Sequence, residues 1–280
     1  MRVKILVTSS LSLVMVLLEA TTALSAPQLP EAAQKLCADT LAALQNTDAA
    51  PLAKLFSAQA SSFLCQIDDA VVRTSRKKLQ TQEKWTEKPL LSKQANLTKL
   101  QASDRIYAGE VSAEIEDAGK AWPLNGICVY EGGEFRWMML AILPPAPEDE
   151  QVQALKMDVG NTVAGWRDAL VDNQIEQLLN AMAPDVFCVA VVGPDYGFYV
   201  FSDPDELQMM LTSGQVPGPL VLDVVSGPEG HFTPNLAAPR YIWKFGVAEF
   251  QDVPLEAWLH LYRDADGWHV AAVCGLPPKQ

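Results

Sequence analysis

The sequence predicts an α+β fold made twice, as two tandem units that each place helices ahead of a curved antiparallel sheet. Three observations predict it. An ordered set of features recurs: a helical stretch ending in Leu55-Phe56-Ser57-Ala58, a strand with Cys65, then Trp137 and Pro144-Pro145, followed by Leu178-Leu179-Asn180-Ala181, Cys188, Trp268 and Pro277-Pro278. Within each copy the apolar spacing passes from helical to alternating. Between them the Pro- and acid-rich run Pro144 to Gln151 reads as an exposed linker. The boundaries expected are 1–25 for an export signal, 30–145 for the first unit, 146–151 for the linker and 152–278 for the second unit. The economical packing is a sheet folded over helices, with a pocket on its concave side.

The leader has Arg2 and Lys4 before an apolar stretch from Ile5 to Leu18 and a small-residue cleavage site at Ala23-Leu24-Ser25. The apolar run falls short of the ~20 residues that span a bilayer and Glu19 interrupts it, so no stable membrane insertion is expected after cleavage. The expected location is periplasmic or extracellular.

In the first unit, Leu36, Leu41, Leu44, Leu52, Leu55 and Phe56 fall at helical spacings, with a break and a fresh cap at Asn46-Thr47-Asp48. Phe63 to Ile67 reads as a strand, and Thr74 or Ser75 can cap a helix running to Trp85. After a polar stretch, Arg105 to Ile115 reads as a strand, and Leu124 to Tyr130 with Phe135 to Leu143 as a hairpin. In the second unit, Val159, Val163, Trp166 and Leu170, then Ile175, Leu178, Leu179 and Met182, mark two helices. Val186 to Val192 and Phe198 to Phe201 form a hairpin. Asp203-Pro204-Asp205-Glu206 then places Asp at a cap, Pro at the first helical position and Glu three residues on. Leu220 to Val225, Tyr241 to Phe250, Leu255 to Arg263 and Trp268 to Cys274 complete the unit as strands.

A formal net charge of −13 at pH 7 repels phosphate backbones, so no nucleic-acid partner is expected; the basic run Arg73 to Lys78 reads as a solvated face. Of the five cysteines, Cys65 and Cys188 occupy matching places in the repeat, while Cys128 and Cys274 lie on late strands. In an exported chain the disulfides to test are Cys65 with Cys128 and Cys188 with Cys274, buried thiols being the alternative. His231, His260 and His269 have no close-spaced ligand pairs, so neither a metal nor another cofactor is predicted. No nucleophile elbow, phosphate-cradling loop or zinc-protease helix occurs.

The segment Asp172 to Val186, with Ala183-Pro184-Asp185-Val186, and the later Trp258-Leu-His-Leu-Tyr262-Arg-Asp-Ala-Asp-Gly-Trp268-His-Val-Ala-Ala resemble the SnoaL-like branch of the nuclear transport factor 2-like superfamily. The first unit, through Asp48 to Phe63 and Cys128-Val-Tyr130 to Trp137, is similar but more worn. The resemblance implies cone-shaped domains with an internal cavity, used by relatives for isomerases, dehydratases, cyclases, small-molecule binding and dimerisation through the sheets. A tandem copy therefore implies an intramolecular pseudo-dimer. Ketosteroid isomerase-like members carry a Tyr on the first helix and an Asp after the first strand; those places here hold Trp166 and Ala190, which cannot transfer the proton.

Period-two alternation puts Glu256, Trp258, His260 and Tyr262 on one face of their strand. If that face lines the cone, His260 is an acid or base with Glu256 as neighbour, and Trp258, Tyr241, Trp243 and Trp166 are walls of a ligand site. If it faces the other unit or solvent, these are interface or surface residues. The function expected is binding of a small apolar ligand or a partner, the alternative being an isomerase- or dehydratase-type enzyme that uses His260. Trp137 and Trp268 read as core anchors.

Overall fold

The computed structural model describes residues 29–59, 61–88, 92–102, 106–115, 121–131, 133–183, 188–192, 198–213, 220–247 and 250–276. The expected export signal lies outside them. In chain order the first unit comprises α1 (Leu29–Leu44), α2 (Ala49–Ala53), β1 (Ser62–Ile67), β2 (Ala70–Thr74), α3 (Arg76–Leu79), β3 (Ser92–Ala102), β4 (Ile106–Ile115), β5 (Ala121–Glu131) and β6 (Glu134–Ile142). The second comprises α4 (Asp149–Val171), α5 (Ile175–Asn180), β7 (Cys188–Val192), β8 (Phe198–Phe201), α6 (Pro204–Thr212), β9 (Leu220–Phe232), β10 (Leu236–Val247), β11 (Phe250–Asp264) and β12 (Gly267–Leu276). Each unit has one six-stranded sheet, ordered β2-β1-β6-β5-β4-β3 in the first and β8-β7-β12-β11-β10-β9 in the second. The tandem α+β architecture is the one the sequence predicts. No helix among the described residues is long and apolar enough to cross a membrane.

Several elements differ from the sequence reading, each for a local reason. Asp68 takes a left-handed φ of 53°, which closes a two-residue turn and lets Ala70–Thr74 fold back as β2 on β1. The helix capped by Ser75 stops at Leu79. The polar stretch before β4 contains β3, an edge strand, which needs no continuous apolar face. The linker is shorter than 146–151: α4 already begins at Asp149, where Asp149 and Glu150 meet the positive end of the helix.

The cap before α6 forms as its residues dictate. Asp203 accepts from the Asp205 amide at 2.8 Å, Pro204 opens the helix, and Glu206 accepts from the Ser202 amide at 3.1 Å. Asp203→Ala should lower stability by about 1 kcal/mol, read as a shift in the urea midpoint. An unchanged midpoint would mean that packing of Leu207 alone holds the helix.

The repeat is preserved strand for strand, but not in the register its sequence landmarks suggest. Both sheets slip register at one corresponding point, between Ile127 and Cys128 on β5 and between His260 and Leu261 on β11. Ile127 therefore matches His260, and Met139 matches Ala272. Parallel bridges pair Phe56 with Trp137 and Met182 with Val270, so the place of Trp137 is held in the second unit by Val270 and not by Trp268. Likewise Ser62 lies beside Met139 as Cys188 lies beside Ala272, so Cys188 matches Ser62 and not Cys65.

This register also corrects the cysteine pairing. Cys65 stands opposite Ile142 and Cys128 opposite Trp137, so β6 lies between them and they sit roughly 16 Å apart along it. Disulfide geometry requires Cα atoms within about 7 Å. Cys188 and Cys274 are on neighbouring strands but out of step, Cys188 facing Ala272 and Cys274 facing Ala190. Cys37, Cys65, Cys128 and Cys274 are buried thiols. Burial pushes Cys37 up to about 12 and raises Cys65 and Cys128 too, so these thiols are not nucleophiles at neutral pH.

Each sheet has one face on its own helices and the other on the second sheet. Leu124, Cys128, Trp137, Leu140 and Ile142 pack with α1 and α2 in the first core, and Ala257, Leu259, Leu261, Val270 and Val273 pack with α4 in the second. The opposite faces meet in a seam, where Ile127, Met138 and Met139 join Trp258, Ala272, Cys274 and Leu276, and Leu64, Ala141 and Leu143 join Leu236, Tyr262 and Ala271. The layers run helices, sheet, sheet, helices.

Candidate functional site

The alternation on β11 is present, and the packing decides its two faces. Ala257, Leu259 and Leu261 point into the second unit, while Trp258 and Tyr262 belong to the seam. His260 is completely buried there, its Nε2 standing 2.9 Å from Asn125 Oδ1 of the first unit. With the Asn oxygen as acceptor, the ring donates from Nε2; its Nδ1 has no hydrogen-bond partner among the described residues. Burial pushes the imidazole down to about 3, against the upward pull of the Asn125 contact. Glu256 is engaged elsewhere, 3.3 Å from Arg240 Nε, and the Arg240 guanidinium also lies over the Trp258 ring at 5.4 Å.

The structure thus separates His260, Glu256 and Trp258 from the interior of the second unit. Small and aliphatic residues on the other face fit against α4, whereas the large aromatic and polar side chains fill the gap between sheets.

The other three sequence candidates come together inside the second unit. Trp166 projects from α4 because Leu155, Val159, Val163 and Ala169 set the buried stripe of that helix. Tyr241 and Trp243 share one face of β10. The Trp166 and Trp243 rings lie 6.3 Å apart at 20°, and those of Tyr241 and Trp243 5.8 Å apart at 31°. All three residues are buried, yet Trp166 Nε1, Tyr241 Oη and Trp243 Nε1 have no hydrogen-bond partner among the described residues. Burial raises the Tyr241 phenol to about 12, so it stays protonated and can donate. The cluster therefore offers three donors, two of them indole N–H groups that cannot accept.

The first unit resolves the corresponding places differently. The shared register matches Tyr241 and Trp243 to Val111 and Ala113, and counting back equally from the Phe56 and Met182 bridges matches Trp166 to Thr40. There one indole comes from the sheet, Trp137 Nε1 donating to Thr40 Oγ1 at 2.8 Å, and another from the loop after α3, Trp85 Nε1 donating to the Asn46 carbonyl at 2.6 Å. Gly126 makes room, since a Cβ there would meet the Trp137 ring at 2.7 Å.

An open groove of about 480 Å³ runs beside the second cluster, lined by Gln153, Lys156, Met157, Gly160 and Asn161 of α4 and by Gly227 and Pro228 of β9. Trp166, Tyr241 and Trp243 do not line it, but Gly227 stands between it and the cluster: an added Cβ there would sit 2.6 Å from Tyr241 Cδ1. Sequence reasoning missed the groove. The available signal was Gly227-Pro228, a pair that marks a strand edge or irregularity and that here lies in β9 at the edge of its sheet.

No protein-family model matches the chain, and no curated protein matches it. It is similar to solved structures that each span about half its length. One is an NTF2-like protein of unknown function from Pseudomonas putida KT2440, with 17% identity over 46% of this chain and 89% of that one, at a TM-score of 0.38. Another is a nuclear transport factor 2 (NTF2-like) superfamily protein from Salmonella enterica, with 12% identity over 46% of this chain and 94% of that one, at a TM-score of 0.39. A third is an NTF-2 like protein of unknown function from Silicibacter pomeroyi DSS-3, with 13% identity over 42% of this chain and 98% of that one, at a TM-score of 0.32.

Proposed function

We propose that the protein binds a small, largely apolar molecule in its second unit, and that this molecule carries at least one oxygen that accepts hydrogen bonds. The observation that supports this reading is the set of three buried donors on Trp166, Tyr241 and Trp243 without partners among the described residues. Buried polar groups are ordinarily paired, and leaving one unpaired costs about 1–3 kcal/mol. A carbonyl or ether oxygen would satisfy one or two of these donors while the aromatic faces cover its apolar body. The groove against α4 supplies the approach, because only the side-chain-free Gly227 separates it from the Tyr241 ring.

The role is one of holding and not of proton transfer. A phenol raised to about 12 and two indoles provide no base near neutral pH, and His260 stands in the seam. The reading also takes the protein to be exported, on the support of the leader sequence and its cleavage site.

Tryptophan fluorescence titrations with 2-acetonaphthone and with naphthalene test the proposal. The ketone should bind about five- to tenfold more tightly than the hydrocarbon, and Tyr241→Phe or Trp243→Phe should remove most of that difference, as expected for one hydrogen bond. Equal binding of the two probes, or variants that keep the full preference, would sink it.

A further inference from the structure

We infer that the two seam faces are matched to each other and mismatched to their own kind, so that each unit selects the other and rejects a second copy of itself. The inference rests on the seam alone and is independent of the ligand reading. By the shared register Asn125 matches Trp258, and Ile127 matches His260. A two-fold pairing of sheets therefore brings together position pairs that, in a symmetric assembly, would be identical. Here they are not. One pair is polar, Asn125 with His260 at 2.9 Å; its symmetry mate is apolar, with Ile127 and Trp258 in a single cluster.

Consider two second units placed face to face by the same rotation. Each His260 would meet a Trp258, leaving the Nε2 proton without the Asn125 oxygen and the indole without Ile127. Two first units would set each Asn125 amide against an Ile127 side chain. Either assembly buries a pair of unsatisfied polar groups that the tandem arrangement satisfies.

The ends of the seam repeat the same logic. Thr233 Oγ1 donates to Gln66 Oε1 at 2.7 Å, and the Arg73 guanidinium lies 3.6 Å from Asp264 and 4.4 Å from the centre of the Tyr262 ring. In the second unit the places of Gln66 and Arg73 belong to Val192 and Val200. A second unit paired with itself would offer Thr233 and Asp264 no polar group at those places.

The test uses the full chain carrying a site-specific protease sequence between Pro144 and Glu148, cut after folding. Mixing cut protein with its isotopically heavy form and weighing the assemblies by native mass spectrometry should show only complexes of one first half with one second half. Homotypic pairs should be at least roughly tenfold rarer. A double-mutant cycle on the uncut chain gives an independent readout: Asn125→Leu and His260→Leu should each lower the urea midpoint, and together should lower it by clearly less than their sum. Homotypic pairs at comparable abundance, halves that part into monomers at micromolar concentration, or strict additivity in the cycle would each overturn the inference.

Discussion

Lowering the pH from 6.5 towards 4 should destabilise the protein by about 3 kcal/mol, and His260→Gln should abolish most of that loss. In the unfolded chain an imidazole takes up a proton near pH 6.5, whereas in the seam burial holds His260 down to about 3. Between these values the unfolded state binds more protons than the folded one, so stability is complete above pH 6.5 and falls as the pH drops, at about 1.4 kcal/mol per unit. The nearest polar partner is Asn125, which does not titrate; Glu256 and Arg240 pair with each other farther along β11, and Asp264, His269 and Arg73 cluster at its far end. Desolvation raises Asp264, but the Asp266 amide, His269 and Arg73 together outweigh it and hold the carboxyl below its usual value. Its loss therefore comes at lower pH than the His260 window. Gln can still donate to Asn125 Oδ1, so the variant should fold and show a flat profile from pH 6.5 to 4. Urea midpoints across that range would decide the matter; parallel slopes for both proteins would remove His260 as the cause.

The second large effect should come from Trp137→Ala, with a loss of about 3–5 kcal/mol, against a smaller loss for Trp268→Ala. Trp137 is buried at the centre of the first core. Its amide donates to Leu55 and its carbonyl accepts from Ser57, both at 2.8 Å, and its indole donates to Thr40. Removing the ring leaves a cavity beside Gly126 and breaks the contact with Thr40. Trp268 is half-buried, near the turn that opens β12, and its ring partner is the Arg263 side chain at 6.0 Å. Denaturant unfolding of the two variants would show the difference. Equal losses would contradict the register that gives the place of Trp137 to Val270.

Much of the fold was legible because it rests on local signals. The two amphipathic helical stretches, the cap at Asp203-Pro204 and the late strand runs in both units correspond to α1, α4, α6 and the strands from β4 to β12. The missed pieces lacked such signals. β2 follows a two-aspartate turn and lies at a sheet edge, and β3 is a polar edge strand, so neither required an apolar face. The landmarks of the repeat misled in register because a similar residue type can recur without a common place. Trp268 falls two positions before the residue that bridges to the helical segment, and Cys188 three positions away from the match to Cys65.

The candidate site divides along the same line. Alternation showed that Glu256, Trp258, His260 and Tyr262 share a face, but alternation is symmetric between inside and outside. Only the docking of the second sheet turned that face into a seam and left Trp166, Tyr241 and Trp243 as the aromatic interior.

By itself the sequence determined the doubling, the α+β class and the acidic surface, since periodicity, turn chemistry and charge act over a few residues. The tertiary structure alone decided which sheet face each unit buries against the other, why the two expected cysteine pairs stay apart, and that three aromatic rings pack together in the second interior. Those outcomes depend on distances between strands far apart in the chain, set by the packing of two sheets and their helices.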